Sequence, residues 1–220
     1  MTRFAAVIFD MDGVLIDSEP LHFEVLNEVL ASEGEAISRA DNEEFIGTTT
    51  ETLWTALIAR RQLAHTREEY ETRYDAAVLR VLARPHPAAP GAAELARHLR
   101  RLGTRLAVAS SSRRTWVAAT LRSIGLDDAF DAWACGDEVA RGKPDPEIYL
   151  LAARRLGVPA EQCLAIEDAP NGVLSAARAG MAVLGVRTPY TAHLPLDGAQ
   201  RVVDSLTELD LHGDPFTTWP

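Results

Sequence analysis

Val7-Ile8-Phe9-Asp10-Met11-Asp12-Gly13-Val14-Leu15 is the stretch whose reading decides the fold. Ala5 to Phe9 is a short run, apolar at every position, as a strand buried on both faces of a parallel sheet has to be. It ends in carboxylates at Asp10 and Asp12 with Gly13 directly behind them. Open parallel sheets bind ligands at the carboxyl ends of their strands, so the two acids stand where chemistry is carried out. Held against an apolar strand they repel each other and resist desolvation, and a bound cation relieves both costs. An ordinary strand-to-loop turn with solvated aspartates has the same spelling. An EF-hand loop does not, because its glycine position is Leu15 here and its closing glutamate is Leu21.

Downstream, Glu19 to Glu33 carries Leu21, Val25, Leu26, Val29 and Leu30 at helical spacing. Leu53, Trp54, Leu57 and Ile58 mark a second helix over about 51–64, and a third covers 67–82. No convincing strand lies between them. Arg84-Pro85-His86-Pro87-Ala88-Ala89-Pro90-Gly91 then reads as a hinge. Beyond it helices and strands alternate: helix 92–102, strand 105–109, helix 114–124, strand 132–134, helix 146–156, strand 163–166, helix 172–179 and strand 182–186. That alternation predicts an α/β fold, a doubly wound parallel sheet of Rossmann-like type. Its core would comprise residues 1–16 and 89–220, and residues 17–88 would form an inserted helical domain and candidate lid. The final dozen residues read as a loosely held tail.

At 220 residues, 47% hydrophobic and 25% charged, the chain can bury one sizeable core. A net charge of −10 argues against a broad nucleic-acid surface, and an anionic substrate would need local positive charge or a metal. No signal peptide follows Arg3, and no apolar run approaches the roughly 18 residues of a membrane span. Cys135 and Cys163 are isolated, which suits buried thiols in a reducing cytoplasm. Lys143 is the single lysine among 22 basic residues. A chain that uses arginine everywhere else has kept a compact ammonium at one place, by need or by chance.

Three further strand ends supply polar groups. Ser110-Ser111-Ser112-Arg113 offers hydroxyls and free N–H groups at a helix start, either a phosphate cradle or a plain N-cap. Lys143 lies in Gly142-Lys143-Pro144-Asp145-Pro146, where two prolines stiffen the backbone that presents it. Glu167-Asp168 is followed by Ala169-Pro170-Asn171-Gly172, so the acids serve chemistry or complement a helix dipole. Taken together, four strand ends of one sheet would hold acids, hydroxyls and an ammonium. Those are the requirements of phosphoryl transfer: a nucleophile, a proton shuttle, a hard cation and donors to spread anionic charge.

The order and spelling of these motifs resemble the haloacid dehalogenase superfamily, in its phosphatase and β-phosphoglucomutase-like branch. The resemblance covers essentially the whole chain, and the insertion falls where that branch carries its helical cap. It implies that Asp10 attacks phosphorus and that Asp12 moves the proton. It further implies Mg²⁺ held by Asp10, the Asp12 backbone carbonyl and Asp168, with Glu167 acting through water. Ser110, the Ser111 N–H and Lys143 would bind the phosphoryl oxygens. His22 aligns with a cap histidine that faces the site in this branch, and it also reads as a partly exposed helix residue. The expected activity is a Mg²⁺-dependent phosphatase of small phosphate esters, sugar phosphates first among them, in a cytoplasmic, monomeric protein without nucleic-acid or membrane partners. The alternative is a sugar phosphomutase, which would grip a distal phosphate through an arginine where this chain has Thr50. Dehalogenase chemistry has no use for Asp12 and a metal-binding acid pair. A phosphonate hydrolase would need a cap lysine, and residues 17–84 contain none. A non-catalytic ligand binder is the last rival, disfavoured by the intact motifs.

Overall fold

In a computed structural model, which describes residues 2–45 and 50–220, the chain forms two units. One joins the segment ending at Asp17 to Pro85–Pro220, and the other is Ser18–Arg84. The first holds β1 (Ala6–Phe9), α5 (Ala92–Arg101), β2 (Arg105–Ser110), α6 (Arg114–Ser123) and β3 (Ala132–Cys135). It continues through α7 (Glu147–Leu156), β4 (Cys163–Glu167), α8 (Pro170–Arg178), β5 (Ala182–Val186) and β6 (Arg201–Val203). The second holds α1 (Glu19–Ala31), α2 (Arg39–Glu43), α3 (Thr50–Arg61) and α4 (Arg67–Leu82).

All six strands pair in parallel, in the order β3-β2-β1-β4-β5-β6. The order reverses between β1 and β4, and such a reversal opens a crevice at the carboxyl ends of the strands. Phe9 stands opposite both Val108 and Ile166, so Asp10, Ser110 and Glu167 end three adjacent strands at nearly the same level. Alternation along the strands sends Ala6, Ile8, Ala107, Ala109, Ala134 and Ala165 to the face covered by α7 and α8. Alanine on that face lets both helices approach the sheet closely, bringing Tyr149 and the α8 N-terminus near the strand ends.

In the helical unit, Thr66 and Glu69 form a reciprocal capping box at the start of α4. Trp54 stacks on Tyr70 at 5.0 Å between ring centres, joining α3 to α4. The helix over 51–64 ends earlier than its spacing predicts, at Arg61, because Gln62 takes a left-handed φ of 53°. The short helix α2, capped by Ser38, escapes a periodicity argument because it buries no residue.

Two expectations need correcting in the first unit. The three-residue edge strand β6 follows a long loop and is too short to show a pattern. The final dozen residues are not a loose tail. Phe216 and Trp219 are buried, and they meet Phe4 edge-on at 6.0 Å and 5.4 Å, while Gly213 O pairs with His98 Nε2 at 2.6 Å. Two aromatic anchors hold the segment against the entry to β1. Both cysteines are buried and free. Among the described residues, no helix is long and apolar enough to cross a membrane.

Candidate active site

Strand β1 delivers Asp10 with its side chain largely buried, and the chain turns at once. Gly13 has a φ of +85°, and a Cβ there would overlap the Asp168 carboxylate. Only glycine meets both demands of turn and close approach. Asp12 is half-buried, and its Oδ2 accepts the Ser112 hydroxyl at 3.1 Å. The two acids at this loop are therefore not unpartnered; each aspartate has its own donor, Ser112 for Asp12 and Lys143 for Asp10.

At the end of β2, Ser110 is fully buried and its Oγ accepts the Ser112 N–H at 3.0 Å. The serines do not cap α6, whose N-cap position is Arg113, with no side-chain capping bond there. Ser111 is exposed at this strand end.

Lys143 is not a stray surface cation. Its Nζ lies 2.6 Å from Asp10 Oδ1, 2.6 Å from Glu167 Oε1 and 3.0 Å from Ala109 O, so all three ammonium donors are engaged. The Tyr149 ring centre is 5.1 Å from Nζ, and its hydroxyl donates to Glu167 Oε1 at 2.6 Å. Glu167 Oε2 accepts the N–H groups of Asp168 and Ala169 at 3.2 Å and 3.4 Å. Both Glu167 oxygens are thus held by the protein, and a Cβ on Gly172 would collide with that carboxylate. The Asp168 carboxylate takes the Thr191 hydroxyl at 3.4 Å and makes no ion pair among the described residues.

Electrostatics follow from this packing. Burial, which Lys143 only partly offsets, raises the Asp10 carboxyl to about 7. Burial, followed by the neighbouring Asp10 and Glu167, raises Asp168 to about 9. Burial opposes the charge on Lys143, yet Asp10 and Glu167 outweigh it and its pKa rises. Burial and the same carboxylates push the Tyr149 hydroxyl well above its ordinary value. Asp10, Glu167 and Asp168 each offer an oxygen within 4.8 Å of the others'. Three buried carboxylates against one ammonium leave two negative charges uncompensated when all are ionised. A hard dication with oxygen ligands fits that deficit.

Asp10, Asp12, Ser110, Lys143, Glu167 and Asp168 therefore meet at the strand ends. His22 and Thr50 belong to the helical unit, where His22 Nδ1 lies 2.8 Å from Tyr74 Oη and Thr50 opens α3 half-buried. Residues 46–49, directly before Thr50, lie outside the described residues. Sequence reading missed Tyr149 and Thr191, and it counted Ser112 only as one of a cluster. Tyr149 had a signal, as an inward helix position six residues after the lysine; Thr191 had none.

The haloacid dehalogenase-like hydrolase family matches residues 4–180. The phosphorylated carbohydrates phosphatase of Thermotoga maritima is 35% identical over 176 residues, 80% of this chain and 82% of the relative. Hexitol phosphatase B of Escherichia coli K12 is 33% identical over 210 residues, covering 94% and 95%. A crystal structure of CbbY from Rhodobacter sphaeroides in complex with xylulose-(1,5)bisphosphate superposes with a TM-score of 0.84 at 33% identity, covering 94% and 96%. With its parallel sheet and its acids at the strand ends, the chain belongs to the haloacid dehalogenase-like hydrolases, as a phosphoric monoester hydrolase of their phosphatase branch.

Proposed function

We propose that the protein is a Mg²⁺-dependent cytoplasmic phosphatase of sugar phosphates and similar small esters, acting through an aspartyl-phosphate on Asp10. The observation that carries the reading is the buried cluster of Asp10, Lys143, Glu167 and Asp168, whose excess negative charge calls for a dication. Asp10, the Asp12 carbonyl and Asp168 would hold the ion, which supplies charge neutralisation between a carboxylate nucleophile and a phosphate dianion. Glu167, with both oxygens engaged, orients Lys143 and would act on the ion through water.

An Asp10 oxygen attacks phosphorus while the bond to the leaving oxygen breaks and Asp12 protonates that oxygen. Asp12 then takes a proton from water, which attacks phosphorus and releases Asp10 and inorganic phosphate. Ser110 accepts the Ser112 N–H, and its own proton meets no acceptor among the described residues, so it is available to a phosphoryl oxygen. The Ser111 N–H and Lys143 complete that set. An incoming phosphoryl group takes over one of the three lysine contacts, and the Asp10 contact is the one that loses charge as the ester forms.

The names of the T. maritima and E. coli relatives support a phosphorylated carbohydrate as substrate. The helical unit is assigned the part of a substrate-selecting cap, supported by its insertion between β1 and β2, with His22 and Thr50 as its candidate contacts. The test is a panel of phosphorylated sugars and sugar alcohols with Mg²⁺. It includes β-glucose 1-phosphate with catalytic glucose 1,6-bisphosphate, and both isomer and free phosphate are followed. Phosphate release on the panel is expected. Glucose 6-phosphate forming faster than inorganic phosphate would show a mutase instead.

A further inference from the structure

Thr191 lies in the loop between β5 and β6, outside every motif that pointed to the site, and is only 7% exposed. Its Oγ1 is 3.4 Å from Asp168 Oδ2 and 2.8 Å from Thr188 Oγ1. The protons of this threonine pair follow by elimination. The Thr191 N–H donates to Thr188 Oγ1 at 3.2 Å, and the Thr188 N–H donates to Thr191 Oγ1 at 3.4 Å. One hydroxyl must donate to the other. Were Thr191 the donor, its lone pairs would face Asp168 Oδ2, an acceptor-only oxygen once ionised, as a metal ligand must be. With Thr188 as donor, the remaining Thr191 proton points to Asp168 and every atom is satisfied. On another side the Asp168 carboxylate lies against Gly13, where no side chain fits.

We propose that Thr191, braced by Thr188, is a positioning residue that presents the Asp168 carboxylate to the metal, making the β5–β6 loop a further contributor to the site. The inference rests on the metal reading of the proposed function. At 3.4 Å the bond is long, so its effect is to narrow the orientations of Asp168 and not to add much stability. Hydrogen-bond partners of ligating carboxylates act in this way, and losing one typically weakens metal binding roughly 10- to 100-fold.

The test titrates Mg²⁺ calorimetrically into the chelator-treated full chain without substrate, for the wild type, Thr191→Val, Thr191→Ser and Thr188→Val. Valine keeps the branched shape and removes the hydroxyl. Thr191→Val is expected to bind Mg²⁺ about tenfold more weakly. Thr191→Ser should stay close to the wild type, and Thr188→Val should fall between. Wild-type affinity in Thr191→Val, or equal losses in Thr191→Val and Thr191→Ser, would overturn the proposal. Should Thr191→Val fail to fold, Thr188→Val binding more weakly than Thr191→Ser supports it, and equal binding overturns it. A wild type that binds no Mg²⁺ would remove the metal reading itself, and this inference with it.

Discussion

Lys143 Nζ stands 2.6 Å from Asp10 Oδ1, with the two side chains only 8% and 10% exposed. The same ammonium reaches Glu167 at 2.6 Å, so one cation serves two buried acids and cannot neutralise both. Removing one partner of such a pair leaves charge stranded in a poor solvent, which costs about 3–5 kcal/mol. Lys143→Ala is therefore expected to lower stability at alkaline pH and to cut turnover on the order of a hundredfold or more. Lys143→Arg should be nearly as damaging, because a planar fork cannot place one nitrogen against Asp10, Glu167 and the Ala109 carbonyl together. Steady-state kinetics on the two variants decide this, and full activity in the arginine variant would refute it.

Gly172→Ala is expected to destabilise, although alanine is the better helix former by about 1 kcal/mol. The new methyl would collide with the Glu167 carboxylate behind α8. Displacing that carboxylate disturbs Lys143 and Tyr149, and overpacking of this kind costs about 1–3 kcal/mol. Chemical denaturation measures the change, and an increase in stability would contradict the packing described for the site.

The two raised carboxyls give the metal-free protein a pH dependence with a definite sign. Asp10 rises from 3.8 to about 7 and Asp168 from 3.8 to about 9. Above the ordinary carboxyl range the folded state therefore binds more protons than the unfolded chain, and stability falls as pH rises. With chelator present, the melting midpoint should drop from about pH 5 to about pH 9. The stabilisation by added Mg²⁺ should grow over the same interval, because the ion takes the place of those protons. A midpoint that is flat or rising with chelator present would count against the buried acid cluster.

Most of the fold was legible because its signals are local. The apolar run of β1, the alternation after Pro90 and the stripe of α1 each follow from spacing close along the chain. What escaped depends on partners distant in sequence. Phe216 and Trp219 stand in a polar terminal stretch and become anchors only through Phe4, which the chain brings to them from its other end. At the site, Asp10, Asp12, Lys143, Glu167 and Asp168 announced themselves as charged residues at strand ends. Tyr149 and Thr191 did not, because a buried hydroxyl on a helix or in a loop has no spelling of its own. Their part emerges from single hydrogen bonds to Glu167 and Asp168.

The central claim is that the phosphoryl group passes through Asp10. The direct measurement is rapid acid quench during turnover of a phosphate ester, followed by peptide mapping of the trapped protein. A phosphoryl adduct is expected on the Asp10 carboxylate. Asp10→Asn should show none and should retain less than about a hundredth of the wild-type rate. An unmodified Asp10 peptide during sustained turnover, or an asparagine variant above that rate, would contradict the account.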